Sequence, residues 1–481
     1  MMEQAPLSTL DRKQRLQIPP QTIPKQDPQE RITNWDEVCL ELDLDTARLE
    51  ATRCIQCPAA PCTKACPIHN DIPAALARLE MGDVMGAAVK FRETSHMPEM
   101  CGRLCPQEVL CEGACVVGKK ALPVAIGRLE AFVADQQRKH QGWPLPQAAP
   151  PTRRKVAVVG SGPAGLVVAE EMAKRGHAVT VYEAWPLPGG ILRYGIPRFK
   201  MDKAMLDEKI EMLRKLGVQF VTNTLIGWDI TVDDLFEAGS DAVFLGYGVS
   251  QGMKMGIPGE DLKGVFTATE FLVRGNLPPE HLPLQWRAPI HPGRRAVVVG
   301  GGDTSMDCVR TALRLGARKV VCVYRRTEAE MLGRVEERRH SREEGIEFMF
   351  LTTPIRLLGD ESGHVKAVRC VRMELGQPDE SGRPRPVPVL GSEFEIAADT
   401  VVIAIGYRPD RLVIHTTPGL EAEKSGILVV DPETGRTTRP GIFAGGDIAH
   451  GAEWVVTALA DGKRAAAAID EYLRRKELGE T

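Results

Sequence analysis

What this 481-residue chain lacks already removes several classes of function. It has no charge excess of one sign: 61 Lys and Arg against 64 Asp and Glu leave a net charge of −3, spread along the chain. Without a basic stripe, nucleic acids and anionic membranes are not expected as partners. Long apolar runs are also missing. The longest, such as VVIAIG at 401–406, have strand length, well short of the roughly 20 residues needed to span a bilayer. The opening MMEQAPLSTLDRKQRLQIPPQ holds no apolar signal-peptide core, so the expected location is cytoplasmic. A disulfide framework is not expected in that reducing compartment, and the 12 cysteines need another explanation.

A chain of this length does not pack around one core, so two or three domains are expected. Its 43% apolar residues and 46 glycines fit a soluble α/β protein. After a Pro/Gln-rich lead, a helix is expected over about 34–52. In the cysteine-rich block that follows, Ile72, Leu76, Leu79 and Val84 recur at helical spacing. The proline-rich stretch QGWPLPQAAPPTRRK at 141–155 reads as a linker. Beyond it, KVAVVGSGPAGLVVAEEMAKRG reads as strand, glycine turn and helix, and HAVTVYEA as the next strand. The same order restarts at RRAVVVGGGDTSMDCVRTALRLG, followed by RKVVCVYRR. Two such starts predict two nucleotide-binding domains.

Nine of the 12 cysteines precede residue 116. They form two runs, Cys54-x2-Cys57-x4-Cys62-x3-Cys66-Pro67 and Cys101-x3-Cys105-Pro106-x4-Cys111-x3-Cys115. Thiolates are soft ligands, and intervals this short let one loop wrap an iron–sulfur or zinc centre. A zinc ribbon would show two CxxC knuckles separated by a longer loop, whereas these runs hold one CxxC. The spacing therefore favours iron–sulfur clusters, and proline directly after a cysteine run is also a feature of bacterial ferredoxin loops. Cys39 and Cys101 read as buried thiols, and Cys308, Cys322 and Cys370 as core residues.

The first glycine turn holds Gly160, Gly162 and Gly165, with Pro163 and Ala164 between the last two. These glycines allow a tight turn and close backbone approach, and a helix N-terminus attracts a pyrophosphate. Glu183 ends the next strand, where an acid accepts hydrogen bonds from ribose hydroxyls. The second turn, with Gly300, Gly302, Asp303 and Thr304, has Ser305 in the third small-residue place. Its following strand ends in Arg325 and Arg326 instead of an acid. Arginine grips a 2′-phosphate that a carboxylate would repel, which favours NADPH over NADH; Arg334 is a further candidate. Near the C-terminus, Gly446 and Asp447 follow the apolar strand GIFA and precede a helix-like run. An acid there can bind a ribityl chain while a helix N-terminus faces a flavin ring.

From about Trp35 onward, the chain resembles the small (beta) subunit family of bacterial glutamate synthase. The motifs are RCIQCPAAPCTKACP, CGRLCPQEVLCEGACVVGKK, PVAIGRLEAF, VVGSGPAGL, GGILRYGIPRFK, GGGDTSMDCVRT, VYRR and AGGDIAHGAEWVVTALADGKRAA. The same architecture occurs in the N-terminal part of dihydropyrimidine dehydrogenase and in the large subunit of NADH-dependent ferredoxin:NADP oxidoreductase. The resemblance implies an α/β chain: a helical iron–sulfur domain at 1–150, an FAD-binding domain from 151–285 and 405–481, and an NADPH-binding domain at 286–404 inserted into it. It implies two [4Fe–4S] clusters with crossed ligation, one on Cys54, Cys57, Cys62 and Cys115. The other takes Cys66, Cys105, Cys111 and Glu130, with Cys101 a rival for the last place. Gly190, in GGILRYGIPRFK, joins the FAD residues. NADPH is the implied donor, with no catalytic residue outside the cofactor sites. With no cysteine before Cys39 to serve as a glutaminase nucleophile, a separate large synthase subunit is the expected partner. A ferredoxin, a second flavin subunit or a pyrimidine reductase would be alternative partners. A redox-inactive assembly scaffold is the non-enzymatic alternative.

Overall fold

The computed structural model describes residues 10–378 and 382–480. The first nine residues, part of the segment read for a leader, lie outside them. Among the described residues no helix is long and apolar enough to cross a membrane.

The N-terminal part is helical, and aspartates start several of its helices. Asp43 accepts from the Thr46 amide at 2.8 Å and begins α1 (Leu44–Thr52). Asp71 and Asp83 cap α2 (Ile72–Glu80) and α3 (Val84–Arg92) in the same way. Ile72, Leu76 and Leu79 are buried, as their spacing predicts. Then come α4 (Pro98–Leu104) and α5 (Ile126–Gln141). These two cross closely: a Cβ at Gly102 would stand 2.5 Å from the Gly127 carbonyl oxygen and 2.6 Å from the Ala131 amide nitrogen. That approach sets the second cysteine run beside Glu130.

The helix expected over 34–52 is helical from Leu44 onward only. Residues 34–43 run irregularly because their backbone groups pair elsewhere. The Val38 amide donates to the Phe199 carbonyl at 3.0 Å, and its own carbonyl accepts from the Gln26 amide at 2.9 Å.

After the irregular linker, the chain runs through β1 (Lys155–Val159), α6 (Pro163–Lys174), β2 (Ala178–Tyr182), β3 (Gln219–Val221) and β4 (Ala242–Leu245). A short strand, β5 (Gln251–Gly252), leads to β6 (Val265–Thr267), β7 (Arg295–Val299), α7 (Asp303–Arg314), β8 (Lys319–Val323), α8 (Val335–Glu343) and β9 (Glu347–Met349). An antiparallel group follows, β10 (Thr352–Gly359), β11 (Val365–Pro378), β12 (Pro384–Pro388) and β13 (Phe394–Ala397). The chain returns through β14 (Thr400–Ile403), β15 (Tyr407–Arg408) and β16 (Ile442–Ala444) to α9 (Val455–Leu478).

Two five-stranded parallel sheets result, ordered β16-β4-β1-β2-β3 and β6-β14-β7-β8-β9. In each, the strand before the glycine turn lies between neighbours that leave in opposite directions, which opens a crevice at the strand ends. Sheet membership differs from the expected boundary at 286. Strand β6 pairs with β14, so the second unit already includes residues 265–267. The crossings between the units run instead through β5 and β15, paired as Gln251–Arg408 and Gly252–Tyr407. The later division at 286 was what the family resemblance implied.

Gly102→Ala should destabilise the helical part by about 1–3 kcal/mol, because neither Gly127 nor Ala131 backbone can retreat without shifting a helix. Thermal unfolding checks this; an unchanged transition would contradict the close crossing.

Candidate redox site

All 12 cysteines are free thiols. Cys54, Cys57 and Cys62 from the first run, and Cys115 from the second, line a single cavity walled by Ile55, Ile72 and Val117. As bare thiols, Cys54 and Cys62 resist ionisation. Burial pushes Cys54 up to about 12, and neighbouring Cys62, Cys115 and Cys57 add to the rise; burial likewise holds Cys62 at about 11. Four converging thiols that a cation would stabilise as thiolates form a donor set suited to an iron–sulfur cluster.

A second group sits deeper. Cys66 and Cys105 are buried, and Glu130 acts electrostatically on Cys66, Cys105 and Cys111 alike. Burial raises the Glu130 carboxyl well above its ordinary value, while Asn70 donates to it at 3.2 Å. Cys101 is also close, acting on Cys66 and hydrogen-bonded with Cys105, but its sulfur accepts from the Ser95 hydroxyl at 3.9 Å. Cys66 and Cys105 share an apolar cluster with Val456, Ala458 and Leu459 of α9. Cys54, Cys62 and Cys115, together with Cys111, pack within the helical part's own core. Asn70 was not legible as a site residue, since nothing in its local pattern marks it.

At the first glycine turn, Gly160 has φ +93° and a Cβ there would lie 2.6 Å from the Gly246 carbonyl oxygen. A Cβ at Gly165 would lie 2.0 Å from the Gly160 carbonyl oxygen. Gly162 is different: its Cβ would enter nearly open space at the uncapped N-terminus of α6. That space and the free amides beside Pro163 and Ala164 suit a pyrophosphate. Gly190 packs against this turn, with a Cβ there only 2.8 Å from the Gly162 Cα. Glu183 is buried and holds the turn itself, accepting from the Ser161 amide at 3.2 Å, from its hydroxyl, and from the Trp185 amide at 3.0 Å. Gly446 reaches the same place, for a Cβ there would meet the Ala164 Cβ at 3.1 Å. Burial lifts the neighbouring Asp447 carboxyl to about 6. Asp461, not singled out from sequence, fixes this corner by accepting from the Gly446 amide at 2.8 Å and pairing with His450. The acid inside the small-residue run ALADGKRAA was the available signal.

The second turn repeats the plan. Gly300 has φ +147°, and nothing lies within 4 Å of a Cβ at Gly302, at the uncapped start of α7. Ser305 earns its place: its hydroxyl donates to the Ala404 carbonyl at 3.3 Å. Thr304 accepts from the Tyr407 hydroxyl at 3.4 Å, and Asp303 from the Arg334 amide at 2.9 Å. The arginines separate. Arg325 is exposed at the strand end. Arg326 is 3% exposed and donates to the Pro384 carbonyl at 2.9 Å. Arg334 is buried against the second cysteine run, donating to the Arg103 carbonyl at 3.1 Å and to Gln107 Oε1 at 2.6 Å. A compact group of Cys39, Glu336 and His340 already holds a cation, because the Lys25 ammonium lies 2.8 Å from Glu336 and 2.9 Å from His340.

Residues 154–462 match the pyridine nucleotide-disulphide oxidoreductases, and residues 31–142 match dihydropyrimidine dehydrogenase domain II, 4Fe-4S cluster. The chain belongs to the pyridine nucleotide-disulphide oxidoreductase family. The glutamate synthase [NADPH] small chain of Escherichia coli is 39% identical, over 89% of this chain and 91% of that relative. The putative oxidoreductase AegA of the same organism is 42% identical, over 93% of this chain and 69% of that relative. A structure of Mycobacterium tuberculosis FprA in complex with NADPH is similar at 25% identity and a TM-score of 0.57, over 68% of this chain and 86% of that one.

Arg325→Ala should raise the KM for NADPH by about tenfold and leave use of NADH unchanged, the loss expected for one charge-assisted hydrogen bond. Arg326→Ala should lower thermal stability instead. Steady-state dye reduction and thermal unfolding separate the two, and the reverse pattern would transfer the phosphate contact to Arg326.

Proposed function

We propose that this chain is the electron-input subunit of an NADPH-dependent enzyme, most simply a glutamate synthase, and delivers electrons to a separate large subunit. The observation that carries the reading is the pairing of two uncapped glycine turns with two groups of inward-facing thiols in one chain. When bound, FAD and two [4Fe–4S] clusters supply the conversion of a hydride's electron pair into single electrons.

The chain's own residues then have distinct tasks. Gly160, Gly162, Gly165 and the first turn of α6 receive the FAD pyrophosphate, with Gly190 closing the turn and Asp447 facing the ribityl side. Glu183 holds the turn in shape and keeps acceptor capacity for a ribose. Gly300, Gly302, Asp303 and Thr304 receive the NADPH pyrophosphate, and Arg325 the 2′-phosphate. Cys54, Cys57, Cys62 and Cys115 hold one cluster; Cys66, Cys105, Cys111 and Glu130 hold the other. Glu130 is preferred to Cys101 because its field reaches all three of those cysteines. Cys66 and Cys105 of the deeper group pack on the FAD-side core, so that group stands first from the flavin. The group with half-exposed Cys54, Cys57 and Cys115 stands towards the partner.

For the acceptor, 39% identity to a glutamate synthase [NADPH] small chain over 89% of this chain supports a large synthase subunit. A cytoplasmic location accompanies this reading, since all 12 cysteines are free thiols, the state that a reducing compartment maintains.

Anaerobically purified chain should contain about eight iron and eight sulfide per FAD, as two cubanes require. NADPH should bleach the flavin and reduce at least one cluster. Cys62→Ser should bring iron towards about four per FAD while leaving the flavin content intact. A colourless zinc protein, or flavin bleaching without any cluster signal, would overturn the reading.

A further inference from the structure

Among the described residues, the chain passes between the two sheets through β5 and β15, a two-stranded ribbon paired over two residues. A lone two-stranded ribbon is marginally stable, and relative motion is the default for units so connected. Hydride transfer nevertheless needs the two dinucleotide sites in one relative position. The N-terminal segment and one loop of the first unit provide that restraint.

Residues 10–43 touch the helical part and both parallel-sheet units. Arg15 anchors the segment to the helical part by a two-pronged pair with Glu80, both contacts at 2.8 Å, and by donating to the Thr52 and Cys54 carbonyls. Arg31 is 1% exposed and enters the second unit, meeting Glu344 at 2.8 Å, Glu343 at 2.9 Å and the His340 carbonyl at 3.1 Å. The Asn34 carbonyl accepts from Arg314 at 3.1 Å. Glu37 then binds Arg103 of the helical part at 2.8 Å and the Asp202 amide of the first unit at 2.8 Å.

From the first unit, Phe199 and Lys200 meet the same surface. The Arg310 and Arg314 guanidiniums stand 4.5 Å and 4.1 Å from the centroid of the Phe199 ring. The Lys200 ammonium lies 2.9 Å from Asp307. Asp307, Arg310 and Arg314 all lie on α7, whose first residue, Asp303, adjoins the second glycine turn. Whatever fixes α7 therefore fixes that turn.

We infer that residues 10–43, with Phe199 and Lys200, form an interdomain clamp, and that Arg31 is a positioning residue setting the second dinucleotide site against the first. The inference rests on the proposed reading of the two turns. Arg31 can be removed without leaving Glu344 bare, because Arg310 at 2.9 Å and Arg314 at 2.8 Å remain on it. It therefore probes position with the local charge still compensated.

The test compares Arg31→Ala and Arg31→Lys with the native holoprotein, using NADPH in anaerobic stopped flow. In Arg31→Ala, the limiting rate of flavin reduction should fall at least about tenfold, since small misplacements of reacting groups carry penalties of that size. The Kd for NADP+, FAD content and iron content should stay near native. The long-wavelength absorbance of the nicotinamide–flavin pair should weaken, and Arg31→Lys should recover part of both signals. Hydrogen exchange gives a readout independent of turnover: amides over 24–40 and 335–344 should exchange faster, with β1 and α6 unchanged. Native rate and absorbance in Arg31→Ala would overturn the inference, as would loss of FAD or of NADP+ binding in parallel with rate. Failure of NADPH to reduce the native protein would instead sink the proposed function.

Discussion

Three arginines from two distant stretches of chain converge on Glu344, whose side chain has no exposure. Burial alone would raise this carboxyl, but Arg310 and Arg314 bring it down to about 2. Glu337 is also held near 2, by Lys200 and Arg310 against the effect of burial. Removing such ions from water costs several kcal/mol each, so the assembly adds little net stability over an apolar interface of equal size. Its effect is selective. Shifting α7 would strand a buried charge, a change costing about 3–5 kcal/mol, whereas apolar surfaces can slide. The second dinucleotide turn begins α7, so its placement follows from this network.

The thiols impose a second constraint. Cys115, from the later run, lines the cavity of the earlier run's Cys54, Cys57 and Cys62. Cys66, from the earlier run, stands within the field of Glu130 with Cys111. Each loop thus contributes to both groups, and neither group can assemble until both loops are in place. The close passage of α4 over α5 at Gly102 allows this exchange. A bulkier residue there would push α4, and Cys105 after it, away from the helix that carries Glu130.

Much of this was readable from sequence because it depends on local rules. Buried parallel strands followed by glycine turns identify themselves, and Ile72, Leu76 and Leu79 mark a helix by spacing alone. Cys308, Cys322 and Cys370 were expected in the core and are buried there. Features decided by distant partners were not readable. Residues 34–43 have helix-compatible composition, yet Val38 pairs with Phe199, far along the chain. Strand β6 has only three residues and becomes a strand through β14, over a hundred positions later. Arg326 follows the strand as Arg325 does, but faces β12, so equivalent letters acquired different surroundings.

Arg334 shows the same principle with a chemical consequence. Its sequence position suggested another hand on the 2′-phosphate. Its guanidinium is instead engaged by the Arg103 carbonyl and Gln107, while its amide holds Asp303. Gln107 in turn organises the second cysteine run: its carbonyl accepts from the Leu110, Glu112 and Gly113 amides, and its side chain donates to the Cys101 and Gly102 carbonyls. A guanidinium committed in this way cannot swing to a phosphate without releasing the loop that carries Cys105 and Cys111. Exposed Arg325 has no such obligation. On the proposed reading, recognition of the dinucleotide and attachment of its domain to the cysteine-bearing part fall to different arginines of one loop, so either can change without destroying the other.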